Sequence, residues 1–235
     1  MKNEKFRNVE LVQGHVRKIH RYRSIAEIIR MSFLLTKKNL IRQKLGGAAE
    51  AALHSLALNA TNKKTSIKVP LLYELRRRKY FGLVFQDELL TEHIADAMNV
   101  ANYLHLTEKK PEEHRRIIKE LLDFILVMAK SGVIHLDFRP ENILISKNND
   151  IFVIDWEYAT VMHGVDPDVY SNFTFGYFCH MLNHTFKTAN VANIEQNIIE
   201  MMGNSFNKAI FYTQLREGAG RHKALKQLLV YSKNP

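Results

Sequence analysis

The sequence predicts an α+β fold, with a small antiparallel sheet and one main helix ahead of a mostly helical part. Three observations predict it. Residues 9–19 alternate apolar and polar with period two, and residues 68–75 and 80–85 carry two more strand-like runs. From residue 95 onward helical sequence dominates, bounded by helix start and stop residues. Within that part, residues 133–157 break the pattern with two short apolar runs around a polar turn. A chain of 235 residues suffices for one large domain or for two small lobes sharing a cleft.

Taken in order, residues 8–22 read as a strand pair punctuated by Gly14, and Lys18 follows Val16 on the second strand. Ser24 is placed to cap a short helix over 25–32. A basic connector leads through Leu45, Gly46 and Gly47 into a strong helix over 48–58. Glu50 lies near its start, where a carboxylate suits the helix dipole. The basic run from Arg76 to Lys79 reads as a solvated turn between the next two strands. Leu89, Leu90, Thr91, Glu92 and His93 follow as a hinge, then a helix over 95–106. Pro111 opens the next helix, with Glu112 and Glu113 in its first turn and Gly132 just past its end. Ile117, Leu121, Ile125 and Met128 mark its buried stripe. Strands over 143–145 and 151–154 flank the turn at Lys147, Asn148, Asn149 and Asp150. Residues 163–168 read as a turn, 168–186 as an aromatic helix that fills the core, and 194–202 as an amphipathic helix. The last helix, 221–233, sets four Lys or Arg beside Leu225, Leu228, Leu229 and Val230. It suits docking on its own lobe or lying on an anionic membrane face.

Composition narrows the function classes. Hydrophobic residues at 46% and charged residues at 25% describe an ordinary globular chain. The excess of 34 Lys and Arg over 24 Asp and Glu, a net +10, points to an anionic partner. Nucleic acid, an acidic membrane surface or a phosphorylated substrate would each serve. A single cysteine, Cys179, excludes an intrachain disulfide. No apolar leader and no run approaching about 18 apolar residues is present. The expectation is a soluble, cytoplasmic protein that touches an inner-membrane face peripherally, by charge.

The chemistry lies in residues 133–157. His135, Asp137 and Asn142 stand in the order H-x-D-x-x-x-x-N ahead of the first strand, and Asp155 ends the second. That arrangement can bring Asp137, Asn142 and Asp155 to one end of a small hairpin. Phosphoryl transfer from ATP needs such a set: one carboxylate to take the acceptor's proton, an amide oxygen and a second carboxylate to hold magnesium. HLDFRPEN resembles the catalytic loop of the protein-kinase-like superfamily, and IDWE stands where that superfamily has its metal-binding D-F-G. The resemblance implies a two-lobed kinase-like fold, with residues 1–93 as N-terminal lobe and hinge and 94–235 as catalytic lobe. It implies ATP and Mg2+ as cofactors. Lys18, paired with Glu50, would hold the phosphates; Asn142 and Asp155 would hold the metal; the backbone around Glu92 would hold adenine. Asp137 would be the base, His135 a brace for the loop, and Arg139 a cation on the γ-phosphate. Residues 16–60 and 67–157 are further similar to the bacterial lipopolysaccharide kinases, which phosphorylate Kdo or heptose of the inner core. That likeness implies a lipopolysaccharide or lipid A precursor as acceptor, or another small hydroxyl compound, an anionic membrane surface nearby, and no nucleic acid.

Departures from the pattern limit the reading. No G-x-G-x-x-G precedes Lys18 and only 17 residues stand before it, so a short or absent first strand and phosphate-covering loop are expected. Leu136 replaces the arginine of H-R-D, Trp156 and Glu157 replace Phe-Gly, and no A-P-E follows. These argue against an ordinary regulated protein kinase. Two rivals remain: a small-molecule kinase of the aminoglycoside or choline type, and a pseudokinase that binds without turnover. A cationic acceptor calls for a ring of acids, and the C-terminal part shows no acidic cluster beyond Asp166 and Asp168. A nucleic-acid-binding role rests on charge alone.

Overall fold

The computed structural model describes residues 7–22, 24–32, 47–62, 64–107, 110–162, 164–185 and 190–231. The basic connector through Gly46, His163, Phe186 and the end of the last predicted helix at Lys233 lie outside the described residues. Strands β1 (Arg7–Val12) and β2 (His15–Arg21) form a hairpin turned at Gln13 and Gly14. Helix α1 (Ile25–Ser32) opens at Ser24, whose hydroxyl accepts the Glu27 N–H at 3.1 Å, as a side-chain cap requires. Helix α2 (Gly47–Thr61) carries Glu50 in its first turn. It is followed by β3 (Leu72–Tyr80) and β4 (Leu83–Glu92). The four strands form one antiparallel sheet in the order β1-β2-β4-β3, with Lys18 opposite Leu89 and Val16 opposite Thr91.

The sheet corrects two expectations. Arg76 to Lys79 lie inside β3, not in a turn. The chain turns instead at Phe81 and Gly82, with φ of 48° and 79°. Strand β3 therefore starts at Leu72 rather than Lys68, and β4 absorbs Leu89 to Glu92, which were expected in a hinge. Lysine 18 stands on the second described strand, and the β1–β2 connection is a two-residue turn rather than a glycine-rich loop.

The second region begins with β5 (Met98–Asn99) and α3 (Val100–Leu106). The helix expected over 95–106 is shorter because Asn99 caps it: its side-chain oxygen accepts the Asn102 N–H at 2.8 Å. Helix α4 (Pro111–Ser131) matches its sequence signals and closes at Gly132, which takes the left-handed conformation (φ 74°). Its predicted stripe, Ile117, Leu121, Ile125 and Met128, is fully buried. Four short strands follow: β6 (Val133–His135), β7 (Ile143–Ile145), β8 (Ile151–Val153) and β9 (Ala159–Val161). They make two small sheets, β5-β7-β8 and β6-β9, separated by 3-10 turns at Pro140–Asn142 and Trp156–Tyr158. Helices α5 (Pro167–Thr185), α6 (Asn190–Met202), α7 (Lys208–Glu217) and α8 (Arg221–Tyr231) complete the region.

One hydrophobic core joins the two regions. Leu53 and Ala57 of α2 pack with Ile117 and Phe124 of α4, Trp156, and Phe178 of α5. Lysine 68, ahead of β3, adds a backbone tie: its N–H donates to Ile151 O at 2.8 Å, and its carbonyl accepts from Val153 N–H at 3.0 Å. Among the described residues no helix is long and apolar enough to cross a membrane.

Candidate active site

Between the sheet and the hairpin β7–β8 lies a cleft of about 340 Å³. Val16, Leu89 and Leu144 contribute apolar wall, and Lys18, Asn142 and Asp155 contribute polar groups. Lys18 is buried among three carboxylates. It pairs with Glu50 Oε1, lies 2.8 Å from Asp155 Oδ1 and 3.7 Å from Glu157 Oε2. The other Glu50 oxygen is 3.0 Å from His20 Nε2. Burial alone would raise the Glu50 pKa, but the charge of Lys18 and the contact with His20 outweigh it and hold the group at about 2. Glu50 is therefore a permanent carboxylate that fixes the lysine.

The position of α2 depends on a close approach that the sequence reading did not detect. A Cβ at residue 47 would come 2.4 Å from Asp87 Cβ and 2.7 Å from Leu89 Cδ1, so only glycine lets the helix start there. The Gly47 N–H donates to Tyr22 Oη at 2.9 Å, and the Tyr22 hydroxyl donates to Asp87 Oδ2 at 2.7 Å. Arg77 Nε donates to Asp87 Oδ1 at 2.9 Å. One member of the basic run thus neutralises a fully buried acid in the sheet.

Across the cleft, the loop between β6 and β7 is held by its own polar groups. Asp137 N–H donates to His135 Nδ1 at 3.2 Å, and His135 Nε2 lies 3.1 Å from Ile154 O. A carbonyl only accepts, so Nε2 carries the proton and the ring is neutral. Burial pushes the His135 pKa down in the same direction. His135 is thereby a clamp between the loop and the end of β8, where a brace was expected. Asn142 donates through Nδ2 to Asp137 O at 2.9 Å and lies 3.4 Å from Asp137 Oδ2. Arg139 Nε stands 4.0 Å from Asp137 Oδ2 and 3.6 Å from Glu141 Oε2. Asp155 sits in the left-handed region (φ 63°, ψ 63°), a costly conformation for a side chain with a Cβ.

Asn142 and Asp155 fit a magnesium ion. The Asn142 Nδ2 faces Asp137, which turns Oδ1 the other way, and both residues line the cleft with hard oxygen donors. Magnesium takes one or two protein ligands together with substrate phosphates and water. Among the described residues no group of three or more His, Cys, Asp or Glu is disposed to hold a metal by itself.

Of the predicted residues, Lys18, Glu50, Asn142 and Asp155 meet in the cleft, and Asp137 joins them through Asn142. Glu92 also lines the cleft, but its carboxylate accepts the Leu71 N–H at 3.0 Å and closes the sheet edge. Three residues that the sequence reading did not assign belong here as well. Tyr177 donates its hydroxyl to Asp137 Oδ1 at 2.9 Å. Glu157 is buried beside Lys18, and His54 lines the cleft while contacting Pro70 O at 2.5 Å. Glu157 carried a signal, as the second acid of IDWE. Tyr177 carried none, because an aromatic helix does not reveal which hydroxyl faces a loop.

A sheet region and a helical region flank that cleft in an α+β architecture. Residues 46–163, half of the chain, match the model of the phosphotransferase enzyme family (APH), and the chain belongs to that family. It is also similar to the mitogen-activated protein kinase mpkC of Aspergillus terreus, 28% identical over 119 residues, 48% of this chain and 32% of that protein. To the serine/threonine-protein kinase cds1 of Schizosaccharomyces pombe it is 38% identical over 53 residues, 23% and 12% of the two chains. The matches thus span a third or less of either relative. Among solved structures, the MAP kinase LmaMPK10 from Leishmania major aligns with 94% of this chain and 68% of its own, at 15% identity and a TM-score of 0.47.

Proposed function

We propose that the protein transfers the γ-phosphoryl group of ATP to a sugar hydroxyl, that of Kdo or heptose in the lipopolysaccharide inner core. The reading is carried by the 2.8 Å contact of Lys18 with Asp155, which joins the Glu50-anchored lysine to the loop of Asp137 and Asn142. On this reading residues 1–93 and 94–235 are the two lobes, and ATP lies in the cleft with adenine against the backbone around Glu92. Lys18 meets its phosphates. Asn142 and Asp155 hold Mg2+, which neutralises phosphate charge when bound. Asp137 orients the acceptor hydroxyl and takes its proton as the new P–O bond forms; the bond from the γ-phosphorus to the bridging oxygen breaks and ADP leaves. Arg139, a permanent cation about 4 Å from Asp137, faces the transferred group.

Arg139 and the net charge of +10 favour an anionic acceptor over a cationic one. Transfer of labelled γ-phosphate to a Kdo-containing lipid A precursor, with an Asp137→Ala control, tests the proposal. Mg2+-dependent transfer that vanishes in the control supports it. ATP binding without transfer to that acceptor, but with transfer to aminoglycosides or small alcohols, replaces the acceptor. No ATP binding removes the enzyme reading and leaves a pseudokinase.

A further inference from the structure

The sheet has two hairpin turns of the same geometry and different chemistry. Gln13 and Gly14 have φ of 50° and 77°; Phe81 and Gly82 have 48° and 79°. Both turns need left-handed backbone at each central residue, which Asn, Asp or Gly adopt readily and a bulky side chain adopts under strain. Phe81 recovers nothing inside the fold. It is 90% exposed, and its ring meets the edge of Tyr80, itself 70% exposed, at a centroid distance of 4.5 Å.

The surroundings of this tip are cationic. Arg78 and Lys79 precede it on β3, exposed, and form no ion pair with another described residue; Arg77 and Arg76 are engaged by Asp87 and Glu74. Pairing of β2 with β4 ends at Gln86, with one further bond from Tyr22 N–H to Phe85 O at 2.9 Å, so the hairpin tip over 79–84 projects past the neighbouring strand. Helix α1 packs on the same hairpin through Ile28, near Val84, and leaves Ile25 and Ile29 exposed. A strained aromatic kept in solvent beside cations that no other described residue pairs indicates an external partner.

We propose that the β3–β4 tip anchors the protein to an anionic lipid bilayer, with Tyr80 and Phe81 entering the headgroup boundary and Arg78 and Lys79 meeting lipid phosphates. A lipid surface suits a convex tip two residues wide, because it deforms around the rings and needs no shaped pocket. The inference is independent of the phosphotransfer reading and holds whatever the acceptor.

Sedimentation of the full chain with vesicles tests it. Binding is expected to vesicles containing phosphatidylglycerol and not to phosphatidylcholine alone. Phe81→Asn suits the turn better, so the fold is kept, yet vesicle affinity should fall about tenfold as ring burial is lost. Arg78→Gln together with Lys79→Gln should lower it by on the order of tenfold again. Leu106→Asn, at another exposed apolar residue, should change nothing. Emission of a Phe81→Trp variant should shift to the blue on phosphatidylglycerol vesicles. Absence of vesicle binding, binding that Phe81→Asn leaves intact, or binding to heparin but not to vesicles would each overturn the proposal.

Discussion

Tyr177 illustrates how a core position takes on a second duty. Its ring packs where an added Cβ on Gly220 would come within 2.5 Å of the hydroxyl, and that hydroxyl reaches Asp137 Oδ1 at 2.9 Å. Removing it leaves the aspartate with one fewer donor to hold its orientation. Tyr177→Phe is expected to lower kcat for phosphoryl transfer roughly tenfold while leaving KM for ATP nearly unchanged, as steady-state kinetics would read. A pH dependence follows from the clamp histidine. Burial lowers the pKa of His135 and of His54 below the ordinary imidazole value, so the unfolded chain binds more protons than the folded one. Their stabilising contribution is complete above the unfolded value of about 6.5 and is lost as pH falls through the depressed folded values. Glu50, held at about 2, adds a further loss of stability below the unfolded carboxylate value of about 4.3. Urea midpoints should therefore drop between about pH 7 and pH 5, and the drop should be smaller in His135→Gln. At this scale the sequence pointed to Asp137, Asn142 and Asp155 through motif spacing and to Lys18 and Glu50 through the resemblance, and four of the five line one cleft. It hid Tyr177, Gly47 and Asp87, whose importance lies in contacts between residues far apart in the chain.

Among the elements, α2 best shows how packing decides a functional distance. The Gly47 approach to β4 and the chain Gly47–Tyr22–Asp87–Arg77 set where the helix begins, and so where Glu50 meets Lys18. Gly47→Ala must push the helix from the sheet, with an expected cost of about 1–3 kcal/mol and weaker ATP binding. Thermal melts and ATP titration read the two effects; a variant that melts early but binds ATP normally would detach helix position from the site. Helix α4 was legible because Pro111, the first-turn acids and Gly132 all act locally. The two strands of the β3–β4 hairpin were legible but its turn was not, because a Phe-Gly turn lacks the Asn-Gly signal and a run of four cations resembles a loop. The short strands β6 and β9 pair across the 23 residues between His135 and Ala159, a long-range match that three-residue runs cannot announce.

At the scale of the whole molecule, the Lys18–Asp155 contact links the sheet to the helical region. On the proposed reading a bound nucleotide would draw Lys18 to its phosphates, and Asp155 would then face those phosphates as a like charge. On that same reading Asn142 and Asp155 would hold Mg2+, whose charge would offset that repulsion. ATP binding should accordingly be strongly Mg2+-dependent, weakening about tenfold or more in EDTA, which is at least about 1.4 kcal/mol. Asp155→Asn removes the repelling charge together with a metal ligand. The variant should bind ATP in EDTA more tightly than the natural chain does, while its transfer activity with Mg2+ is lost. Calorimetry of the two proteins with and without Mg2+ gives four affinities. If Asp155→Asn weakens ATP binding equally in both conditions, the residue acts by holding Lys18 in place, and the metal lies elsewhere in the cleft.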